Sequence, residues 1–203
     1  MIQSKLRGFK NASVLVFLVA AFCQTAIAQD FPGLKDGVVL VIRHAEKPSD
    51  GKTLAPEGVE RAKAYVPYFQ DFQLDGKPLK LDALYAARDS KNSMRPRLTM
   101  EPLSQGLNLP LDSTFKDKDP EALAKELEAT PQGTNILICW HHGKIPDLLH
   151  ALGADPNALL PDGKWPEDVF WWVIELRYDH QGHLIPGECK KINEGLRPGD
   201  AAR

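Results

Sequence analysis

Hydrophobic positions along the chain follow two alternating spacings, which predicts strands that alternate with helices. Residues 38–42 form a short run of β-branched and aliphatic side chains, typical of a buried strand. Pro56 then begins a segment in which apolar residues recur at helical spacing. A second strand is predicted at residues 81–87 and a second helix near residues 94–106, with a kink expected at Pro102.

The second half of the chain repeats this alternation. Asp119 followed by Pro120 is a strong helix start, because aspartate favours the cap and proline favours the first helical position. The elements predicted beyond it are a strand at 136–140, a helix at 145–152, and a hairpin in which 169–176 pairs with 183–185. Strands that alternate with helices predict a three-layer α/β/α sandwich with a largely parallel central sheet.

The first 28 residues differ in composition from the rest. Basic residues precede an apolar run at residues 12–23, which is too short to span a bilayer comfortably, and an Ala-Ile-Ala segment then gives a cleavage pattern. This predicts a secretory signal peptide over residues 1–28 and a periplasmic or secreted mature protein, with an uncleaved membrane anchor as the alternative. We expect one domain over residues 29–195, a flexible tail over residues 196–203, and no stable membrane insertion after cleavage.

Composition narrows the function classes. The 203 residues are 43% hydrophobic and 26% charged, as in ordinary globular domains. A net charge of −2 without a basic stripe argues against nucleic-acid binding. An oxidising compartment allows Cys139 and Cys189 to pair, whereas the apolar strand around Cys139 is typical of a buried free thiol, so their pairing stays open.

Arginine and histidine side chains follow three predicted strands, at the point where each strand ends. Arg43 and His44 come directly after the first strand, a polar loop leads from the second to Arg95, and His141 and His142 follow the third. Because ligands of open α/β sheets bind beyond the carboxyl ends of the strands, we expect these groups to meet. They suit a dianionic phosphoryl group, since guanidinium forks bind phosphate oxygens in pairs and neutral imidazole is a nucleophile.

Several segments resemble motifs of the histidine phosphatase (phosphoglycerate mutase-like) superfamily. Residues 41–48 resemble its Arg-His-Gly/Ala signature, and residues 95–103 resemble its Arg-x-x-x-Thr-Ala-Glu-Pro-Leu segment. Residues 136–141 resemble its apolar strand that ends in a second histidine. The matches span about residues 38–152, and the resemblance implies a phosphoglycerate mutase-like fold.

The resemblance also implies roles for individual residues. His44 would attack phosphorus and form a phosphohistidine. Arg43, Arg95 and His141 would hold the phosphoryl oxygens as charge shifts in the transition state. No metal or organic cofactor is implied, because the arginines supply the positive charge.

Three alternatives stay open for these roles. Arg97 competes with Arg95 as the phosphate ligand, and His142 competes with His141. A metal site of His141, His142 and His150 is also conceivable, although no acidic or cysteine ligand follows at a convincing spacing.

The sequence gives only a weak signal for the residue that would donate a proton to the leaving alcohol. Residues 115–117 resemble the Leu-x-Glu segment that carries the acid in mutase-like members, which points to Asp117. Asp119 is better explained as a helix cap. The longer acid loop of the mutases, which contains glycine and tryptophan, is missing, and this puts mutase activity in doubt.

Together these features predict an exported phosphatase that hydrolyses phosphomonoesters through His44. Its expected partner is a small phosphorylated substrate or a phosphorylated envelope component, and the oligomeric state stays open. Two alternatives are a phosphohistidine or phosphoramidate hydrolase and a non-catalytic binder of phosphorylated envelope sugars.

Overall fold

The computed structural model describes residues 34–200 of the chain. The strands of this part are β1 (Val38–Arg43), β2 (Gln73–Leu74), β3 (Lys77–Pro78), β4 (Ala83–Ala86), β5 (Leu111–Asp112), β6 (Asn135–Trp140), β7 (Trp172–Arg177) and β8 (Lys190–Asn193). Its α-helices are α1 (Pro56–Gln70), α2 (Arg95–Leu107), α3 (Pro120–Leu127), α4 (Ile145–Ala151) and α5 (Pro156–Leu159). The predicted signal peptide over residues 1–28 lies outside the described residues. Within residues 34–200, no helix is both long and apolar enough to cross a membrane.

The central sheet has the order β5-β4-β6-β1-β7-β8. The first four of these strands are parallel to their neighbours, whereas β7 runs antiparallel to both β1 and β8. Strands β1, β4 and β6 therefore end at the same edge of the sheet. A largely parallel sheet is thus confirmed, and its topology places the three predicted site loops side by side.

The two faces of the sheet bury separate apolar clusters. Along β1, Val39 and Val41 pack on one side with residues of α3 and α4, while Leu40 and Ile42 pack on the other with residues of α1 and α2. This alternation follows from the two-residue period of a strand. Both faces are covered by helices, so the predicted three-layer α/β/α sandwich is confirmed.

Helix α2 continues to Leu107 through Pro102, the position at which the sequence predicts a kink. The helix is completed by tertiary packing, because Met100 and Leu103 on either side of the proline are fully buried. Asn108 then ends the helix in the left-handed conformation.

The predicted hairpin of residues 169–176 with residues 183–185 forms only next to its turn, where Ile185 donates to the carbonyl of Arg177 at 2.8 Å and Asp179 donates to that of His183 at 2.9 Å. Strand β7 instead pairs with β1 and with β8, and a single bridge joins Tyr178 to Leu184. Residues 172–176 are buried, and they lie between two strands of the sheet. The lysine-rich β8 lies at the edge of the sheet, where charged side chains are tolerated and apolar patterning is weak.

The predicted flexible tail over residues 196–203 also differs from the structure. Asp200 is only 3% exposed, its carboxylate lies 2.9 Å from the guanidinium of Arg61, and Leu196 packs on the apolar cluster beneath α1 and α2. The segment up to residue 200 is therefore part of the domain, and residues 201–203 lie outside the described part.

A buried cluster of charges explains this attachment. Arg61 is 1% exposed and forms ion pairs with Glu46, Glu194 and Asp200, each at 2.9 Å. Tyr65 donates a further hydrogen bond to Glu194 at 2.8 Å. We call Arg61 and its three carboxylates the Arg61 cluster. It joins the loop after β1 to the segment after β8.

The two cysteines of the described part are unpaired. Cys139 is buried in β6, as its apolar strand pattern suggests, and Cys189 is half-buried just before β8. Burial raises the pKa of both thiols, so neither has the character of a reactive thiolate.

Candidate active site

The loops after β1 and β6 lie side by side at the carboxyl edge of the sheet. The parallel pairing continues past the strands, because the His44 amide donates to the carbonyl of Trp140 at 3.1 Å. This brings the imidazoles of His44 and His141 together, with ring centroids 5.5 Å apart and ring planes at 71°. The predicted nucleophile and the predicted second histidine thus share one site.

The imidazole of His44 is held in one tautomer. Its Nδ1 lies 2.7 Å from the carbonyl oxygen of Ala45. A carbonyl only accepts hydrogen bonds, so Nδ1 carries the proton and the lone pair resides on Nε2. The side chain is nearly buried, and this burial, followed by the charges of Arg43 and neighbouring groups, holds the pKa of His44 well below 6.5. His44 is therefore a neutral imidazole at neutral pH, with a nitrogen available for attack.

This burial predicts a dependence of stability on pH. The folded chain protonates His44 only well below pH 6.5, because burial lowers its pKa, whereas the unfolded chain protonates it below about pH 6.5. The unfolded state then binds more protons, so the free energy of unfolding decreases as the pH falls below about 6.5. We expect this loss to be smaller in His44→Gln, by up to about 1.4 kcal/mol per pH unit for one proton. Urea unfolding of both proteins from pH 7.5 to pH 5 measures the difference, and parallel pH profiles would contradict it.

Thr99 connects the loop that follows β1 to the helix that begins at Arg95. The Thr99 hydroxyl accepts a hydrogen bond from the amide of Ala45 at 2.9 Å and donates to the carbonyl of Arg95 at 2.8 Å. No role was predicted for Thr99 from the sequence. Thr99 follows Arg95 by four residues, and residues four apart share a helix face. This spacing was the signal that could have indicated its place beside Arg95.

Arg43 is held by a cage of backbone carbonyls. Its Nη1 donates to Pro166, Glu167 and Val169 at 3.1, 2.9 and 2.7 Å, and the ring of Phe170 lies 3.7 Å from its Cζ. Within the described residues, its Nε has no hydrogen-bond partner. Burial lowers the pKa of Arg43 to about 10, so the guanidinium stays charged at neutral pH. Sequence patterns give no signal for this cage, because every residue has a carbonyl.

Arg95 and Arg97 differ in how far their charges are already neutralised. Arg97 is paired with Asp89 at 2.8 Å and with Glu101, and these carboxylates raise its pKa. Arg95 donates to the carbonyl of Gly51 at 3.0 Å, and within residues 34–200 its Nε has no hydrogen-bond partner. The charge of Arg95 contributes to lowering the pKa of both His44 and His141, which places it at the site. The structure therefore favours Arg95 over Arg97 as an anion ligand.

His141 lies between a hydroxyl and a carboxylate. Its Nε2 is 3.0 Å from the Oγ of Ser93, and its Nδ1 is 3.3 Å from an oxygen of Asp117, without hydrogen-bond geometry. Burial lowers the pKa of His141, and the charge of Asp117 opposes this shift. Asp117 thus lies at the site as the resemblance predicts. Ser93 was missed, although it belongs to the polar loop that the sequence marked after the second strand.

Asp119 occupies the cap position of α3, as predicted, but its side chain makes no capping hydrogen bond. The backbone of Asp119 is not in the extended conformation usual for a cap, which accounts for the missing bond. Asp119 therefore precedes the first residue of α3 without capping the helix by a hydrogen bond. Its carboxylate is exposed, in the same loop as Asp117.

His142 contacts the guanidinium of Arg43. Its Nδ1 lies 3.4 Å from the Nη2 of Arg43, and burial together with that charge lowers the pKa of His142 to about 4. Within residues 34–200, no three side chains of histidine, cysteine, aspartate or glutamate come together as a metal-binding group, so the alternative site with His141 and His150 is not formed there.

Two side chains near the histidines have partners of their own. Lys144 pairs with Asp147 at 2.8 Å on the surface. Trp165 is buried, and its indole donates to the carbonyl of Val169 at 2.8 Å. That tryptophan therefore packs on its own domain and supports the loop that cages Arg43.

Solved structures similar to this chain share little sequence with it. The protein histidine phosphatase SixA complexed with tungstate is 15% identical, with a TM-score of 0.48 over 77% of this chain and 97% of that one. Phosphoglycerate mutase from Plasmodium falciparum is 14% identical, with a TM-score of 0.48 over 82% and 97%. A phosphoserine phosphatase mutant from Entamoeba histolytica in complex with phosphoserine is 12% identical, with a TM-score of 0.45 over 79% and 98%.

No protein-family model and no curated protein matches the chain. The similar structures are members of the histidine phosphatase superfamily, whose motifs the sequence resembles. Identities of 12–15% with TM-scores below 0.5 do not carry a function from one protein to another. The function therefore has to follow from the residues of this chain.

Proposed function

We propose that the protein is a phosphatase that hydrolyses phosphomonoesters through a phosphohistidine on His44. One observation carries the proposal: the Nδ1 of His44 is fixed on a carbonyl at 2.7 Å, which leaves Nε2 as a neutral nucleophile beside two arginines. Such a nitrogen attacks phosphorus without first losing a proton. The guanidinium groups of Arg43 and Arg95 supply positive charge where the phosphoryl oxygens gain negative charge.

The first half of the reaction transfers the phosphoryl group to the enzyme. The lone pair of His44 Nε2 forms a bond to phosphorus, and the bond from phosphorus to the ester oxygen breaks with its electron pair on the leaving oxygen. That oxygen takes a proton and departs as the alcohol. The hydrogen bond from Nδ1 to Ala45 stabilises the positive charge that develops on the ring.

The second half returns the enzyme to its starting state. Water attacks phosphorus, the bond to Nε2 breaks with its electron pair on nitrogen, and the proton lost by water goes to a neighbouring base. Inorganic phosphate then leaves. His141, 5.5 Å from His44 between ring centroids, is positioned to contact the phosphoryl group in both halves.

Asp117 supplies or relays the proton in this proposal. We expect Asp117→Asn to slow hydrolysis of alkyl phosphates by about 10²-fold or more, because a basic alkoxide needs a proton donor. Hydrolysis of p-nitrophenyl phosphate should slow far less, since p-nitrophenolate leaves without a proton. Steady-state kinetics on both substrates measures the difference. Asp119→Asn is the matched control and should resemble the wild type; equal slowing on both substrates by Asp117→Asn would assign Asp117 a structural role.

Export and the class of substrate belong to the same proposal. The sequence pattern of residues 1–28 supports a periplasmic or secreted enzyme. Such an enzyme would meet small phosphorylated metabolites or phosphorylated envelope components rather than nucleic acid.

The experiment that tests the function is a screen of the mature protein on a panel of phosphomonoesters, with EDTA present and absent. We expect release of inorganic phosphate from at least one ester, with the same rate after exhaustive EDTA treatment, because the chemistry uses only side chains. Activity that is lost with EDTA and restored by zinc or magnesium would contradict this mechanism. Hydrolysis of phosphoramidate alone would favour the phosphoramidate hydrolase, and binding without turnover would favour the non-catalytic binder.

A further inference from the structure

Three polar side chains meet at His141, and each of them comes from a different loop. The Oγ of Ser93 lies 3.0 Å from the Nε2 of His141, and an oxygen of Asp117 lies 3.3 Å from the Nδ1 of the same ring. Ser93 belongs to the loop after β4, His141 follows β6, and Asp117 precedes α3. The reaction described above leaves the hydroxyl of Ser93 without a role.

The two neighbours of His141 determine which of its ring nitrogens carries the proton. The negative charge of Asp117 favours a proton on Nδ1, the nitrogen that faces it. Burial lowers the pKa of His141, so at neutral pH the ring is uncharged and carries this one proton. Its Nε2 therefore has a lone pair, and the contact with Ser93 is a hydrogen bond that the hydroxyl donates.

The hydroxyl of Ser93 is fixed by its own surroundings. The residue is 4% exposed, and its Oγ accepts a hydrogen bond from the amide of Arg95 at 3.3 Å. Its amide donates to the Oγ of Ser90 at 3.1 Å, and its carbonyl accepts from the amide of Ser90 at 2.8 Å. Because the oxygen of Ser93 accepts from Arg95, its own proton is available to His141. Ser93 thus connects the first residue of α2 to the Nε2 of His141.

The charge balance around His141 changes when a phosphoryl group arrives. Arg43 and Arg95 are positive, and both contribute to lowering the pKa of His141. The neighbouring rings of His44 and His142 are neutral at neutral pH, because burial lowers the pKa of each. A bound phosphoryl group offsets the two positive charges, which makes Nε2 of His141 a better proton acceptor. The ring is therefore neutral in the free enzyme and becomes more basic once the phosphoryl group is in place.

We propose that His141 is the base that takes the proton of the attacking water, and that Ser93 is a positioning residue that aims its Nε2. The proposal rests on the proposed phosphatase function and identifies the base that the second half of the reaction needs. As water bonds to phosphorus and the bond to His44 breaks with its electron pair on nitrogen, one proton of the water moves to Nε2 of His141. The water takes the place of the Ser93 hydroxyl at this nitrogen. The resulting imidazolium keeps its Nδ1 proton against Asp117 and then loses the Nε2 proton to solvent.

The test measures hydrolysis of the phosphoenzyme itself. The enzyme is loaded with ³²P from p-nitrophenyl phosphate, chased with unlabelled ester, and quenched in alkaline detergent at successive times. We expect His141→Gln to slow the loss of label by about 10²-fold or more, because it removes the base, and Ser93→Ala to slow it about tenfold. In the His141→Gln background, Ser93→Ala should change the rate by less than about twofold, since no ring is left to aim. Losses of the same factor in both backgrounds, or an unchanged rate in Ser93→Ala, would overturn the proposal.

Ser90→Ala is the matched control for Ser93→Ala. Ser90 is exposed in the same loop, and its Oγ accepts from the amides of Asn92 and Ser93 at 3.2 and 3.1 Å. Its replacement removes hydrogen bonds of the loop but leaves the hydroxyl that contacts His141. We expect loss of label within about threefold of the wild-type rate. Slowing equal to that of Ser93→Ala would assign the effect to the loop and reject the role of Ser93.

A spectroscopic measurement separates failure of this role from failure of the enzyme. Two-bond ¹H–¹⁵N correlations of the histidine rings show which nitrogen carries the proton, and His141→Gln identifies the signals of His141. We expect the wild type at neutral pH to carry this proton on Nδ1. Ser93→Ala should shift the Nε2 resonance toward that of an unbonded nitrogen, and Ser90→Ala should not.

The two failures then give different results. A protein that hydrolyses esters but carries the His141 proton on Nε2 would disprove the role of His141 as the base and leave the phosphatase function intact. The expected tautomer in a wild type that forms no phosphoenzyme would instead contradict the phosphatase function, and Ser93 would remain the residue that sets the hydrogen bond of His141.

Discussion

Replacing His44 by alanine is expected to abolish turnover on every phosphomonoester and to prevent formation of a phosphoenzyme. The reason is covalent: Nε2 of His44 is the atom that bonds to phosphorus, and its Nδ1 is already committed to the carbonyl of Ala45 at 2.7 Å. Wild type incubated with a ³²P-labelled ester and quenched in alkaline detergent should contain a phosphohistidine that is stable in base and lost on treatment with acid. His44→Ala should contain none, and its steady-state rate should fall to the level of the uncatalysed reaction.

Two further variants make this result interpretable. His150→Ala, at an exposed position of α4, should accumulate phosphoenzyme like the wild type. His141→Ala removes the neighbouring ring but leaves the nucleophile, so it should still form some phosphoenzyme, at a reduced rate. Phosphoenzyme in His44→Ala at wild-type levels would show that another residue is the nucleophile.

Arg95→Ala is expected to reduce kcat/KM by about 10²–10³-fold, which is the size of effect that follows loss of one donor to developing negative charge. Within residues 34–200, the guanidinium of Arg95 donates a hydrogen bond only to the carbonyl of Gly51. Its positive charge contributes to lowering the pKa of both His44 and His141. Steady-state kinetics on p-nitrophenyl phosphate measures the effect. The loss should appear on every ester, since all of them share the phosphoryl group.

Arg97→Ala is the matched control for this prediction. Arg97 lies two residues further along α2, but Asp89 and Glu101 already neutralise its charge. We expect a change of less than about threefold in kcat/KM, because removing a paired surface arginine changes little. A larger loss for Arg97→Ala than for Arg95→Ala would reverse the assignment of the two arginines.

The sequence was sufficient to predict the layers of this fold and most of the residues that meet at the site. Buried strands such as β1 have uninterrupted apolar runs, and helices such as α1 have apolar residues at helical spacing, so both are visible in a single sequence. The shared edge of β1 and β6 follows from parallel topology. His44 and His141 could therefore be brought together before any coordinates were known.

The features that could not be predicted depend on contacts between distant parts of the chain. The carbonyls that hold Arg43 are more than 120 residues away in sequence, as the separation of 123 between Arg43 and Pro166 shows. They carry no side-chain signal. Strand β8 was missed because an edge strand rich in lysine lacks the apolar alternation that marks interior strands. The contact of Ser93 with His141 depends on the exact path of a polar loop, which composition does not encode.

The Arg61 cluster has a consequence for the order in which the protein matures during synthesis. Glu46 of this cluster lies two residues after His44, while Glu194 and Asp200 leave the ribosome about 130 to 140 residues later than Arg61, at separations of 133 and 139. Until they emerge, Arg61 lacks two of its three carboxylates, and an incompletely paired buried charge costs several kcal/mol, about 3–5 when a partner is absent. We therefore expect the loop after β1 to be fully supported only when nearly the whole domain has been synthesised.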